Sequence, residues 1–463
     1  MIKYLFRLIL LFAFTAFVGC NSVSNNTTTY FGGKIINPKS NHVVLYSMEK
    51  VIDTLFLGKD NKFLGKIEND NEGLYYFIHG NEKQHVYLES ADSVMIRLNT
   101  WDFDESLVFA GKGAERNNIL IDCFLEEEND KKLFYEYNKL PPIKFKEKID
   151  SLIDLKLNTY KEYIDKHPKE TLGFKQTLKT ALTFPIYSRI ERYPILNVKY
   201  TEDGNFPTLN KTFYNYRNKI SIDKDSLMYY PPYSKYIRYY LYNKTYALGH
   251  APIKNKYSSE FTVDLLNIID KEITTKRSKN AFLRQTIISH FYNKSNCELN
   301  TKAFNTFFTL TTSLEDKELV NKLIEDTKAI TTNNYLPNFS LVNYSNTKLQ
   351  VFDIVKGKNT LLFFWNPKYV SRSYIIPRIN YLSKTYPNIK FIQILIQGKK
   401  GDRIQKLDIK NQFYLDHNSE AHKFLTSKMP RSILINKQGK VINGYGSISP
   451  KNLEPYLKKL SKN

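Results

Sequence analysis

Apolar residues recur with one period in the first quarter of this chain and with another in the middle. That change constrains the fold more than any single motif. Between residues 30 and 112, eight short runs cluster or alternate apolar side chains: YFGGKII, HVVLYSM, KVIDTLFL, KFLGKIE, LYYFIHG, HVYLES, SVMIRL and SLVFAG. Turn formers such as NPKSN, GKDN and NDNEG separate them. A period of two puts alternate side chains on one face of a strand. Residues 30–112 are therefore expected to form a small antiparallel β domain, sandwich- or barrel-like. From 113 to 332 the spacing becomes three and four, as at Phe145, Ile149, Leu152, Ile153, Tyr160 and Tyr163. The runs YSKYIRYYLYNKTYAL, SSEFTVDLLNIIDKEI, KNAFLRQTIISHFYNK and LEDKELVNKLIEDTK repeat that pattern, with LPPI, YPPY and GHAPI as breaks. This is a central helical domain. Its tyrosine stripes read as core with hydroxyls at the surface, the other reading being a ligand groove. His167, His250 and His290 fall at no ligand spacing, and no metal site is expected.

The N-terminus bears on compartment. MIKYLFRLILLFAFTAFVGC carries Lys3 and Arg7, an apolar run over Leu8–Val18, then Gly19 and Cys20. This is the layout of an export signal, and the apolar run is short for a membrane span. The ending FVGC resembles a bacterial lipobox, whose cysteine is lipidated. Residues 1–20 are accordingly expected to be a lipoprotein signal peptide, with Cys20 the lipid anchor to a membrane surface. Residues 21–29, NSVSNNTTT, then form a flexible tether. The net charge of +22 alone fits nucleic acid, an anionic membrane or acidic partners. Export argues against nucleic acid. Cys123 and Cys297 remain in the body of the chain. They either pair, which an oxidising compartment permits, or are two buried structural thiols. They allow no zinc site of standard spacing.

The last segment, 333–463, mixes the two periods. A leader strand lies in LPNFSLV, a buried strand at Thr360–Trp365, and a helix over Ser371–Tyr386. IKFIQILI is a further buried strand. QFYLD reads as a short edge piece and EAHKFLTSK as a helix. SILINK and KVINGYG make a hairpin, and NLEPYLKKL a closing helix. This order is an α/β layer architecture.

Several of these residues resemble the TlpA-like branch of the thioredoxin superfamily over roughly 337–463. They are the leader Pro337, Phe339 and Leu341; Phe364-Trp365 at a strand end; Pro377 in the following helix; Met429-Pro430; and a hairpin bearing Asn436, Gly439 and Lys440. The resemblance implies a C-terminal thioredoxin-like α/β domain in a multidomain α+β chain. It also implies a cis bond before Pro430 that shapes a groove for an extended partner, and thiol–disulfide oxidoreductase activity. In that family two cysteines follow the tryptophan, at the positions held here by Tyr369 and Arg372.

Thiol–disulfide exchange needs a thiolate and a resolving thiol. A phenol or a guanidinium supplies neither, so no catalytic residue and no cofactor is expected. Ser371 as a hydrolase nucleophile would need a base in reach, and nothing in the sequence brings His417 or His422 to it. What the segment does carry is charge. From Tyr335 onward there are 22 Lys+Arg against 6 Asp+Glu, or +16 of the total +22. Lys368, Arg372 and Arg431 fall at the vestigial site, with Arg372 and Arg431 expected to flank one groove. An anion is favoured at such a helix start. The binding surface expected from sequence is thus Trp365, Lys368, Tyr369, Arg372, Met429, Pro430 and Arg431. The chain reads as a membrane-anchored, periplasm-facing envelope lipoprotein. Its redox-inactive thioredoxin-like domain would be a binding or accessory module for an extended or anionic partner, such as an envelope protein. The alternatives are a thiol–disulfide oxidoreductase of the TlpA-like class and a purely structural domain.

Overall fold

The computed structural model describes residues 28–68, 72–252, 258–293, 301–397 and 400–462. Residues 1–20, expected to be a signal peptide ending at Cys20, most of the expected tether, and Cys297 lie outside the described residues. The chain divides into two compact units, Met1–Leu125 with Thr171–Phe174, and Glu126–Glu170 with Lys175–Asn463.

In the first unit all eight apolar runs form strands: β1 (Thr29–Ile36), β2 (His42–Ser47), β3 (Lys50–Phe56), β4 (Lys62–Ile67), β5 (Gly73–His79), β6 (Glu82–Leu88), β7 (Ser93–Asn99) and β8 (Val108–Ala110). They make two four-stranded sheets, ordered β4-β1-β7-β8 and β3-β2-β5-β6. The inward residues, including Phe31, Ile35, Val43, Leu45, Phe77, Val94 and Leu98, form one core. One pairing differs from the antiparallel expectation: β1 runs parallel to β7. The two strands approach so closely at Gly33 that a Cβ there would lie 2.0 Å from the Ile96 carbonyl oxygen. Glycine alone permits this passage.

The boundary between the units falls inside α1 (Ala114–Tyr137). The second unit continues through α2 (Pro142–Lys166), α3 (Leu172–Asn197), α4 (Pro231–Tyr246), α5 (Ser259–Glu272), α6 (Lys276–Asn293), α7 (Thr301–Leu310) and α8 (Leu314–Lys328). Two of the proline breaks, LPPI and YPPY, open helices, because a first-turn residue has no use for its N–H. Pro142 starts α2, and Pro231 starts α4. Ser258 and Ser313 cap α5 and α8, accepting the Phe261 and Asp316 N–H groups. The tyrosine stripes are core, but several hydroxyls point inward. Tyr193 donates to the Leu140 carbonyl at 2.6 Å, and the Tyr233 hydroxyl accepts the Lys224 N–H at 2.8 Å. A buried phenol needs such a partner.

The C-terminal part of this unit contains β9 (Ser340–Asn343), β10 (Lys348–Gln350), α9 (Val351–Val355), β11 (Thr360–Trp365), α10 (Arg372–Thr385), β12 (Lys390–Leu395), β13 (Gln412–Tyr414), β14 (Arg431–Ile435), β15 (Val441–Gly446) and α11 (Pro450–Ser461). The sheet order is β10-β9-β13-β12-β11-β14-β15. β11 is parallel to β12 and antiparallel to β14, which is antiparallel to β15. This is the mixed α/β layer architecture expected for this segment. Every residue of β11 is buried, because both faces of the sheet are covered. Leu361, Phe363 and Trp365 pack with Ile375, Ile379 and Leu382 of α10 and Leu453 and Leu457 of α11. Leu362 and Phe364 point the other way, into a core with Phe339, Phe424 and Ile433.

Two local expectations are corrected. QFYLD is not at an edge, since β13 sits between β12 and β9; the leader strand pairs on its outer side. EAHKFLTSK forms only the single 3-10 turn Glu420–Lys423. There Ser419 donates to the Ser340 carbonyl and Glu420 accepts the Ser340 N–H, so the segment is tied to β9.

Candidate functional site

The chain leaves β11 at Asn366. Its carbonyl accepts the Tyr369 and Val370 N–H groups at 3.0 and 3.1 Å, and its side-chain oxygen accepts that of Lys368 at 3.1 Å. This turn delivers Ser371 to the N-cap of α10, where its Oγ accepts the Tyr374 N–H at 3.3 Å and lies 2.9 Å from the Ser373 hydroxyl. Ser371 is therefore a capping residue. His417 is exposed, and His422 Nε2 lies 2.9 Å from the Asp416 carbonyl.

Tyr369 and Lys368 are exposed, with the Lys368 ammonium 5.5 Å from the Tyr369 ring. Arg372, the next helical residue on that face, is engaged. Its guanidinium donates to the Asp402 carbonyl at 3.2 and 3.1 Å and to the Asp402 carboxylate at 2.9 Å. It also stands 6.0 Å from the Trp365 ring. A cation in the first turn opposes the helix dipole, and Asp402 offsets that charge from the neighbouring loop. Burial, then the negative charge of Asp402, push the nearby Tyr344 phenol up to about 12. Trp365 is itself buried at 2 % exposure and belongs to the core.

The facing segment departs from expectation in two ways. Among the described residues no peptide bond is cis, so Pro430 follows a trans bond. Arg431 does not flank a groove with Arg372, for it is 0 % exposed. Register is the reason. Arg431 lies opposite Phe364 in the β11–β14 pair, and the pleat sends both to the face away from α10. There the Arg431 guanidinium donates to the carbonyls of Gly444 and Phe424, both at 2.7 Å, and lies 4.6 Å from the Tyr445 ring. It is a packed structural arginine. Met429 is buried and Pro430 half-buried.

Helices α6 and α8 hold this segment. The Asp326 carboxylate accepts the Thr426 N–H and hydroxyl, both at 2.8 Å, and the Ser427 N–H and hydroxyl at 3.1 and 2.6 Å. The Tyr292 hydroxyl donates to the Pro430 carbonyl at 2.7 Å, and burial pushes that phenol well above its ordinary range. The Phe291 ring meets the edge of Tyr445 at 4.9 Å. At Gly444 a Cβ would lie 2.5 Å from the Ile330 carbonyl oxygen, so the approach needs glycine. The sequence reading missed Asp326 and Tyr292; locally each reads only as an ordinary position on an amphipathic helix.

The exposed chemistry is thus a face of tyrosines and cations at the start of α10. Tyr369, Tyr374 and Tyr381 are 38, 41 and 49 % exposed. Lys368 stands beside the first, and the Arg378 guanidinium lies 5.3 Å from the Tyr374 ring. Among the described residues no group of three or more His, Cys, Asp or Glu side chains could hold a metal ion. No helix among them is long and apolar enough to cross a membrane.

A mixed, seven-stranded α/β layer with no sulfur at the start of α10 is the class this geometry defines. Comparison with solved structures finds partial likenesses. The thioredoxin domain of a thiol-disulfide oxidoreductase from Bacteroides vulgatus is 20 % identical, over 28 % of this chain and 99 % of that one, with a TM-score of 0.22. A thiol:disulfide interchange protein from Bacteroides sp. is 19 % identical, over 29 % of this chain and 93 % of its own, with a TM-score of 0.24. The exposed lipoprotein thioredoxin of Streptococcus pneumoniae is 22 % identical, over 27 % of this chain and all of its own, with a TM-score of 0.20. No protein-family model and no curated protein matches this chain.

Proposed function

We propose that this is a lipid-anchored envelope protein, exported by residues 1–20 and tethered through Cys20 with its body facing the periplasm. Its thioredoxin-like domain is a binding module that exchanges no disulfides. The observation that carries this reading is the state of the two family cysteine positions. Tyr369 offers an exposed phenol, and Arg372 is clamped by Asp402. A phenol titrates near 10 and has no redox couple with a disulfide.

The partner is an acidic segment of an envelope protein. Exposed tyrosines beside Lys368 and Arg378 are the composition that binding interfaces favour, and the domain's surplus of +16 steers an acidic partner. Strand-like pairing of an extended chain at Pro430 is disfavoured, because its carbonyl already accepts from Tyr292. The role as a thiol–disulfide oxidoreductase remains the competing reading.

An insulin-reduction assay with dithiothreitol separates the two. The binding module gives the blank rate, and the oxidoreductase gives turnover. A photo-crosslinker at position 369 in intact cells should capture a protein, and the charge-reversed pair Lys368→Glu, Arg378→Glu should lose that capture. Insulin turnover, or capture indifferent to charge reversal, overturns the proposal.

A further inference from the structure

The helical segment contains a cavity that the thioredoxin-like reading does not use. Its volume is about 340 Å³, and four helices, α3, α4, α5 and α6, line it. The buried faces of these helices point into the core through Tyr193, Tyr236, Leu241 and Leu266. The cavity opens beside these faces: Leu241, Leu265 and Phe282 in its lining are buried, Arg192, Arg238 and Tyr239 are half-buried, and Gln285 is exposed. Leu265 and Phe282 supply apolar wall, and Arg192, Arg238, Tyr239 and Gln285 supply polar groups.

The two arginines are the informative pair. Arg192 stacks its guanidinium 4.6 Å from the Tyr239 ring. The Arg238 Nε is shut off from solvent and makes no hydrogen bond. Neither arginine has a carboxylate or a hydrogen-bond acceptor among the described residues. Arg217 in the same unit shows the contrast, since its fork is met by both oxygens of Glu191. A half-buried guanidinium is costly without an anion, and two of them converge on one cavity.

We infer that this cavity binds a small organic anion, a carboxylate head received by Arg192 and Arg238 with a hydrocarbon body against Leu265 and Phe282. The guanidinium fork matches a carboxylate in two parallel hydrogen bonds. An apolar wall with a few convergent polar groups, between helices of a bundle, is the make-up of small-molecule sites. The volume lies near the low end of the range for such sites, roughly 300–1,000 Å³, which suits a small ligand. The inference is independent of the proposed binding face on α10, because it uses none of its residues.

Calorimetric titration of the purified full chain with decanoate tests it, with decanol as the uncharged control of equal body. Decanoate binds saturably, and decanol binds about tenfold more weakly or not at all. Arg192→Met and Arg238→Met each weaken decanoate by about tenfold and leave the melting temperature unlowered, since each removes an unpartnered cation. Should Arg238→Met unfold the chain, Arg238→Lys keeps the charge but loses the fork, and decanoate still weakens. No saturable binding of decanoate, equal affinity for decanol, or unchanged affinity in the folded arginine variants overturns the inference.

Discussion

The Asp326 carboxylate receives both the backbone N–H and the hydroxyl of Ser427, at 3.1 and 2.6 Å, across 101 residues of chain. With the two matching bonds from Thr426, it ties the last central helix to the turn before Pro430. The helical segment and the C-terminal α/β segment are therefore joined at the turn that precedes β14.

Replacing Asp326 by alanine would leave four donors without their acceptor, two of them backbone. The expected loss is about 3 kcal/mol, because hydrogen bonds to a buried carboxylate are strong and costly to leave unmade. Urea unfolding of the variant against the parent measures it. A loss near zero would mean that water replaces the carboxylate and that the tie is loose.

Because Arg431 is buried, Arg431→Glu is a stability experiment rather than a test of anion binding. A carboxylate at that buried site would face the carbonyls of Gly444 and Phe424, so a loss of roughly 4 kcal/mol is expected. The denaturation midpoint reports this. A normally stable Arg431→Glu variant would contradict the burial.

Tyr292→Phe removes one hydroxyl and keeps the ring against Tyr445. It should cost about 1 kcal/mol and lower amide-exchange protection across residues 427–431. Hydrogen-exchange mass spectrometry locates the change, and unaltered protection there would show that the Pro430 carbonyl does not depend on this donor.

Introducing sulfur at the start of α10 separates chemistry from access. The Tyr369→Cys, Arg372→Cys variant should form an internal disulfide, because the helix start favours a thiolate. It should nonetheless stay at the blank rate with insulin, since Tyr292 still holds the Pro430 carbonyl. Adding Tyr292→Ala should raise the rate. Full turnover in the cysteine variant alone would show the edge to be open.

The β unit should lose stability in mild acid through His79. This buried imidazole accepts the Lys39 N–H at its Nε2 and donates from Nδ1 to the His42 carbonyl, both at 3.0 Å. It is held neutral, and burial lowers its pKa below the ordinary 6.5. The unfolded chain binds a proton near 6.5 while the folded chain resists until lower pH. The stabilisation is therefore full above about 6.5 and declines as pH falls toward the folded value. Urea midpoints at neutral and mildly acid pH, compared with His79→Gln, should show a smaller acid loss in the variant.

Much of this molecule was legible from local pattern. The eight strands of the first unit follow turn residues and alternation. The fully apolar run Thr360–Trp365 announces a strand covered on both faces, and the run from Ser371 to Tyr386 announces α10. The candidate site was legible only in part. Tyr369 and Lys368 are exposed as a helix start predicts. Arg431 was misjudged because its facing depends on which strand pairs with β14 and in what register, and the residues around it do not encode that.

Sequence alone determined most of the kinds of elements, their order, and the absence of sulfur at Tyr369 and Arg372, because those properties reside in neighbouring residues. Tertiary structure alone decided that Arg372 is claimed by Asp402, that Arg431 is buried, that Asp326 and Tyr292 hold the Pro430 segment, and that two arginines meet in one cavity. Each of those is a contact between side chains distant along the chain. Such contacts follow from the packing of whole elements, which short-range pattern does not specify.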